Sequence, residues 1–172
     1  PALFRETNNP ATFVVIPRVS SEHREYVPIG FMTSDTIVTD SVHIIPNATL
    51  YHFGVLTSRV HMAWMRTVCG RLKSDYRYSK DIVYNNFPWP TPTEAQRQRI
   101  ESAAQAILDA RAMYPDSSLA DLYDTVTMPP ELRKAHRQND MTVASAYGFA
   151  PETSEEDIVA RLFIMYAEMT RQ

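Results

Sequence analysis

A cluster of prolines divides this chain into two stretches with different hydrophobic periods. Residues 87–92, Phe-Pro-Trp-Pro-Thr-Pro, are unsuited to helix and strand alike, because proline lacks an amide donor and restricts the residue before it. Short apolar runs rich in β-branched residues precede the cluster, and apolar stripes with helical spacing follow it. The pattern predicts an α+β chain, with a small mixed β-rich domain over residues 1–90 and an α-helical bundle over residues 91–172.

Four runs in the first half are typical of strands, namely residues 13–17, 26–31, 36–39 and 42–46. A polar, hairpin-like connection joins the first two runs. Apolar residues at helical spacing then predict one or two helices over about 48–69, broken near Thr57-Ser58 and ended by Gly70. We expect residues 71–92 to be extended or looped.

The second half carries repeated start and stop signals for helices. Residues 91–94 form a capping box with Pro92 at the first helical position, and residues 153–156 form a second box. A short helix is predicted to begin near Ser117. A longer one is predicted to run from Pro129-Pro130 to Tyr147, with Gly148 just after its end.

Positive charge is concentrated in a chain that is mildly acidic as a whole. The formal net charge is −3, but residues 57–80 hold six Arg or Lys residues against the single acidic residue Asp75. A local basic patch is a better indication of nucleic-acid binding than bulk charge. The same pattern is also compatible with an ordinary solvated face.

Catalytic motifs are not apparent in this sequence. Asn86-Phe87-Pro88-Trp89 resembles the Asn-Pro-Pro-aromatic tetrad of adenine methyltransferases, but the order of the residues differs. The five histidines lack metal-site spacing, so we expect no metal, no bound cofactor and no catalytic residue. Cys69 is interpreted as a small buried hydrophobe rather than a nucleophile.

The single cysteine excludes an internal disulfide, which favours a cytoplasmic location. The sequence contains no apolar run long enough to cross a bilayer and no signal peptide, so we expect no membrane partner. Because the chain begins at Pro1 rather than at Met, we expect it to belong to a longer protein.

Residues 57–90 mix guanidinium, ammonium, hydroxyl, amide and tyrosine side chains. Such groups contact phosphates and base edges in protein–DNA complexes. The alternative is a polar loop whose tyrosines pack on the core.

Several strings in this sequence resemble large bacterial DNA methyltransferases of the type IIG, MmeI-like group. They are GRLKSDYRYS at 70–79, VYNNFPWP at 83–90, IPRVSSE at 16–22, YVPIGF at 26–31, LYHFGVL at 50–56 and HMAWMR at 61–66. Residues 132–136 and 144–148 resemble the helical tail of the same family, in which Asp140 matches a common aspartate.

The resemblance implies a target-recognition domain over 1–90 and a C-terminal helical domain over 91–172, with the catalytic domains upstream. The parent protein would transfer a methyl group from S-adenosylmethionine to adenine N6. The implied partners are double-stranded DNA and the upstream methyltransferase domain. The resemblance points to Thr57 and Arg59 as readers of base edges, with Glu22 and Arg24 as further candidates. The candidate phosphate contacts are Arg71, Lys73, Arg77, Ser79 and Lys80. Trp64 and Trp89 are expected to serve packing.

Two alternatives stay open at this point. The acidic helical half could be a protein-interaction module that docks to the methyltransferase domain or to another subunit. The tyrosines could instead stack on single-stranded RNA. A free-standing enzyme fits least well.

Overall fold

The computed structural model describes residues 10–171. Within that range the strands are β1 (Thr12–Pro17), β2 (Val19–Ser20), β3 (Gly30–Thr33), β4 (Val42–Pro46), β5 (Gly70–Leu72) and β6 (Asp75–Arg77). The helices are α1 (Leu50–Leu56), α2 (Arg59–Val68), α3 (Glu94–Ala112), α4 (Leu119–Leu122), α5 (Pro130–Tyr147) and α6 (Glu155–Thr170), and a π-helical turn spans Lys80–Tyr84. The α+β class predicted from the sequence is confirmed.

Strand β1 is the centre of the first antiparallel sheet, whose order is β3-β1-β4. Residues 13–16 are all buried, so both faces of β1 are covered. This explains why the run reads as continuously apolar rather than alternating. Val14 pairs with Phe31 on one side and with Ile45 on the other. Strand β4 is therefore an edge of this sheet.

The second sheet has the order β2-β6-β5 and contains a tight hairpin. Leu72 pairs with Asp75, so Lys73 and Ser74 form a two-residue turn. Lys73 has a φ of 57°, in the left-handed region that non-glycine residues rarely adopt. Residues 71–92, expected to be extended or looped, thus contain a short hairpin and a helical turn.

Of the one or two helices expected over 48–69, the structure has two, and the break lies at Thr57-Ser58. The Ser58 side chain accepts a hydrogen bond from the backbone of His61 and caps α2. Gly54 lets α1 approach the helical half closely, because a Cβ there would lie 2.7 Å from the Ile100 side chain. Helix α1 packs on α3, and α2 packs on α6.

Four expectations about element bounds were wrong, for two strands and two helix starts. Residues 36–39 form no strand, and only Gly30 and Phe31 of the predicted 26–31 run lie in one. Both capping boxes were misplaced: Thr93 caps α3 with Gln96 as its partner, and Ser154 caps α6 by accepting from Asp157. In each case the expected and the observed N-cap residues are Ser or Thr within two positions of each other, and both residue types cap helices well. Gly148 ends α5 with a φ of 78°, as predicted.

The two halves of the chain share one continuous hydrophobic core. Trp64 of α2 is buried, donates to the backbone oxygen of Val83, and lies 5.2 Å from the Phe163 ring of α6. Trp89 is partly buried against the same core. The packing roles predicted for both tryptophans are confirmed.

Candidate nucleic-acid interface

The β5–β6 hairpin is anchored by one aromatic side chain and otherwise exposed. Tyr76 is buried, whereas Gly70, Arg71 and Leu72 are all exposed. The Arg71 guanidinium lies 4.2 Å from the centre of the Tyr76 ring, a cation–π contact. The hairpin is therefore held by the Tyr76 side chain and by the pairing of β6 with β2, and its side chains other than Tyr76 and the half-buried Asp75 are exposed.

Strand register places the two hairpin arginines on opposite faces of the sheet. Arg71 pairs with Tyr76, and Arg77 pairs with Gly70 and Val19. Because paired residues share a face and successive residues alternate, Arg71 lies on the Tyr76 face and Arg77 on the other. The candidate phosphate contacts thus do not form one flat row, although a duplex groove can receive a hairpin with cations on both faces.

Arg71 and Glu22 neutralise one another at the base of the hairpin. Their side chains lie 3.4 Å apart, and Arg71 also donates to the backbone oxygen of Ser74 at 2.7 Å. Both side chains are largely exposed, so this ion pair contributes little to folding stability. A guanine edge or a phosphate can therefore displace Glu22 from Arg71 at small free-energy cost.

The remaining hairpin-side cations form no ion pair within residues 10–171. Arg18, Lys73, Arg77 and Lys80 are exposed and lie at the strand ends, the turn and the start of the π-helical turn. Tyr78 donates its backbone amide to the Arg18 oxygen at 2.8 Å, which brings the Arg18 backbone beside the segment that leads to Lys80. We name Arg18, Arg71, Lys73, Arg77 and Lys80 the basic hairpin surface.

Two of the predicted site residues have structural roles. Ser79 caps the π-helical turn by accepting from the backbone amide of Ile82. Thr57 is fully buried, so its hydroxyl cannot reach a base edge in this conformation. The expectation that Thr57 reads a base, which came from the family resemblance, is corrected on this ground, because a sequence motif does not show where a side chain at a helix break points.

Arg59 and Arg24 occupy less exposed positions than the hairpin cations. Arg59 begins α2 beside Asp140 of α5, whose carboxylate accepts its backbone amide at 2.8 Å. Arg24 is half-buried in the turn after Ser21. The structure therefore places Glu22 at the hairpin, through Arg71, and Arg59 at the contact between the two halves.

A groove runs between the edge strand β4 and residues 78–84, and we name it the β4 groove. Its volume is about 360 Å³. Arg18 and Lys80 lie at its rim, and Tyr78, Tyr84 and Ile44 line it. Its basic residues Arg18 and His43 were not predicted as site residues. In the sequence, only its position between two strand-like segments pointed to Arg18 as a site residue, and nothing pointed to His43.

A buried His–Tyr pair fixes the wall of this groove. The His61 Nε2 atom lies 2.9 Å from the Tyr78 hydroxyl, and both residues are buried. Burial lowers the pKa of His61 to about 3 and raises the pKa of Tyr78, so both groups stay neutral near pH 7. The pair holds Tyr78 in place and carries no charge to a ligand.

The described part of the chain offers little for catalysis. The Asn86 amide, in the segment that resembles a catalytic tetrad, donates to the backbone oxygens of Asp81 and Ile82. Burial raises the pKa of the Cys69 thiol, which disfavours the nucleophilic thiolate. Residues 10–171 contain no group of three His, Cys, Asp or Glu side chains placed to hold a metal ion. No helix among them is long and apolar enough to span a bilayer.

Comparison with known proteins identifies the family. The MmeI target recognition domain family matches residues 1–91, and the MmeI C-terminal domain family matches residues 92–172. This chain belongs to the MmeI family. It is 41% identical over 173 residues to DNA methyltransferase A of Bacillus subtilis (strain 168), an alignment that covers the whole chain and 20% of that relative.

The solved structure of the type IIL restriction–modification enzyme MmeI in complex with DNA superposes with a TM-score of 0.89. Sequence identity to it is 48%, over 96% of this chain and 22% of MmeI. The family resemblance inferred from the sequence motifs is confirmed. This MmeI-family chain spans about one fifth of the length of the relatives that it matches.

Proposed function

We propose that this chain is the DNA-recognition module of a site-specific DNA methyltransferase. The observation that carries the proposal is the basic hairpin surface, in which four exposed cations lack an ion-pair partner within residues 10–171. It occurs on a fold shared with MmeI, whose structure was solved in complex with DNA. Exposed, unpaired cations gain most from phosphate, because binding releases counterions from the duplex.

The two kinds of DNA contact are assigned to different residues. Lys73 at the turn, Arg77, and Arg18 with Lys80 contact phosphates and fix the register of the chain on the duplex. Arg71 of the hairpin, which the sequence indicated as a phosphate contact, is assigned to base edges together with its partner Glu22, and Arg24 is assigned with them because it lies two residues from Glu22. Arginine suits guanine O6 and N7, and a carboxylate accepts from cytosine N4. The exchange of the Arg71–Glu22 pair for base contacts gives specificity at low cost.

The chemical step belongs to the parent protein. In our proposal its methyltransferase domain transfers a methyl group from S-adenosylmethionine to adenine N6, after the base has left the stack. The glycines of the described residues do not fit an S-adenosylmethionine loop. Added Cβ atoms at Gly30 and Gly54 would lie 2.6 and 2.7 Å from packed side chains, Gly148 ends α5, and Gly70 is an exposed residue of strand β5. None of these four glycines lies in a loop between a strand and a helix N-terminus that could hold the cofactor, so we derive no catalytic step from this chain.

The helical half has a second role in this proposal, as the docking surface for the methyltransferase domain. Helix α6 exposes Phe163, Ile164 and Met169 at 42–56% of their surface. Ile164 points away from the buried residues Ile158 and Leu162, and an apolar side chain on the outer face of a helix is available to a protein contact. Ile164→Glu should weaken co-purification of this chain with a separately expressed methyltransferase domain of a relative. Unchanged co-purification would contradict the docking role.

Selection from a randomised pool tests the recognition role. The chain is mixed at low salt with duplexes that carry a random central segment, and the bound fraction is sequenced. An enriched, short and asymmetric motif is the expected result. Binding should also weaken steeply as salt is raised, because phosphate contacts dominate affinity. Absence of salt-dependent binding to any duplex would contradict the proposal, and preference for single-stranded RNA would favour the stacking alternative.

A further inference from the structure

The β4 groove is a concave site that base reading from the hairpin does not use. It lies along the outer edge of β4, which has no strand neighbour on that side within the described chain. Its volume of about 360 Å³ falls in the range of small-molecule sites, roughly 300–1,000 Å³. The groove is large enough for one small planar group together with an attached anion.

The lining combines two kinds of chemistry. At the rim, Arg18 and Lys80 are exposed and form no ion pair with the residues that the structure describes. Inside, Tyr84 is half-buried and Ile44 keeps 46% of its surface exposed. Cations at the rim complement a phosphate, and an aromatic ring beside an aliphatic side chain suits the face of a nucleobase.

The groove is rigid before any ligand binds. The Tyr78 hydroxyl is held by His61, and the Tyr78 backbone oxygen lies 3.1 Å from His43 Nε2. Tyr84 packs edge-on against Trp89, with ring centres 6.2 Å apart. Little entropy of the two tyrosine side chains remains to be lost on binding, which favours a preformed wall for the base.

The groove is also continuous with the basic hairpin surface. Arg18 and Lys80 belong to both, and Val19, next to Arg18, pairs with Arg77. A DNA strand held along the hairpin would therefore pass the mouth of the groove. This favours a nucleotide within DNA over a free nucleotide as the occupant.

We propose that the β4 groove holds one unpaired nucleotide of the bound DNA, with its phosphate at Arg18 and Lys80 and its base against Tyr84 and Ile44. The inference rests on the proposed DNA-recognition function. A base inside the duplex has both faces covered, so only a base outside the stack can enter. Methylation of a flipped base leaves the opposite base without its partner, and DNA bound for that reaction therefore supplies such a nucleotide.

Three duplexes of one sequence separate this site from general DNA binding. The first is fully paired, the second carries a single-nucleotide bulge, and the third carries an abasic bulge at the same place. The abasic bulge has the flexibility of the second duplex without its base. Affinities are measured by fluorescence anisotropy at low salt. We expect the base-containing bulge to bind at least about fivefold more tightly than the abasic one, as one stacked base provides.

Two variants test whether the preference for the base-containing bulge arises in the groove, and a third is the control. Ile44→Glu puts a negative charge beside the base and should abolish the preference for the base-containing bulge. Lys80→Ala should weaken binding of all three duplexes. Val126→Glu introduces the same charge at a residue that is 90% exposed and outside the groove, and it should leave the preference unchanged.

The outcomes separate a failure of the groove assignment from a failure of the proposed DNA-recognition function. Equal affinity for the two bulges, or a preference that survives Ile44→Glu, would overturn the groove assignment while salt-dependent binding of the paired duplex still supported DNA recognition. If none of the duplexes binds, DNA recognition fails and the groove assignment fails with it.

Discussion

Residues of the same charged types are paired at the junction between the two halves of the chain and mostly unpaired on the basic hairpin surface. We call the contacts of segment 25–26 and α2 with α5 and α6 the junction. There Arg66 pairs with Glu155 at 2.8 Å, and Arg133 pairs with Glu25 at 3.0 Å. On the hairpin, most cations have no such partner among the described residues. At the junction the charges are paired across the two halves, whereas on the hairpin most remain available to a ligand.

The basic residues of the run 57–80 are divided between the junction and the hairpin side. Arg59 and Arg66 belong to the junction, whereas Arg71, Lys73, Arg77 and Lys80 belong to the hairpin side. Asp140 is the centre of the junction, because its carboxylate accepts from the Tyr26 hydroxyl at 2.5 Å and from the Arg59 amide at 2.8 Å. A carboxylate at the start of α2 is also favoured by the helix dipole.

The largest expected effect is on folding, at the junction. Asp140→Ala leaves the Tyr26 hydroxyl and the Arg59 amide without an acceptor, and should lower the free energy of unfolding by about 2–4 kcal/mol. Asp140→Asn keeps an acceptor and should change it by less than about 1 kcal/mol near pH 4, where the native Asp140 is also uncharged. Urea unfolding near pH 4 measures both. Asp109→Ala, on the exposed side of α3, is the control and should have little effect; an equal loss there would show that any lost carboxylate is destabilising.

The Asp140 carboxyl group should also make the folding stability depend on pH. Burial raises the pKa of Asp140 to about 7, against about 3.9 in an unfolded chain. The folded state therefore holds this proton more tightly, so its stabilising contribution is complete below about pH 4 and is lost as pH rises through 7. Burial lowers the pKa values of His61 and His136, which has the opposite effect below about pH 6.5.

Comparison with Asp140→Asn cancels the histidine contributions. Relative to that variant, the native chain should lose stability between about pH 4 and pH 7 and change little above pH 8. The measurement is urea unfolding of both proteins at several pH values. A difference that stays constant across this range would mean that Asp140 is ionised throughout.

The next prediction tests whether Arg59 belongs to the junction or to the residues that read DNA. Because Arg59 lies at the junction, Arg59→Ala should leave the base preference unchanged, whereas loss of a guanine reader would relax specificity at one base pair, at a cost of about 1–3 kcal/mol. The variant is assayed with duplexes that differ at single positions, and with urea unfolding in parallel. A loss of stability with unchanged base preference would place Arg59 wholly in the junction.

Sequence patterns predicted the parts of this fold that depend on local chemistry. The β1 run, the break at Thr57-Ser58 and the end of α5 at Gly148 follow from apolar spacing, helix caps and left-handed backbone, all of which are local. Residues 36–39 have β-branched side chains but no strand partner in the structure, and pairing is a tertiary property.

The candidate site was less predictable for a similar reason. The cationic character of segment 57–80 was visible in the sequence, but not which cations would be paired. Glu22 meets Arg71 across 49 positions, and Asp140 meets Arg59 across 81. The β4 groove depends on contacts between residues 16–18, 42–46 and 78–84, which no local pattern connects.

The smallest effects lie at Lys73, where charge and backbone strain can be separated. Lys73→Ala removes the charge and keeps a Cβ in the left-handed region, whereas Lys73→Gly removes the charge and relieves the strain. Both should weaken binding on every DNA sequence and lower the salt slope by about one unit, as loss of one phosphate contact requires. Only Lys73→Gly should raise the free energy of unfolding, by about 0.5–1 kcal/mol.

Arg99→Ala on the exposed face of α3 is the charge-matched control, and it should leave the salt slope unchanged. If Lys73→Ala and Lys73→Gly lower the slope while Arg99→Ala does not, the charge at the turn acts on DNA locally rather than through net charge. A slope that is unchanged in both Lys73 variants would remove the turn from the phosphate contacts and leave Arg18, Arg77 and Lys80 to hold the duplex.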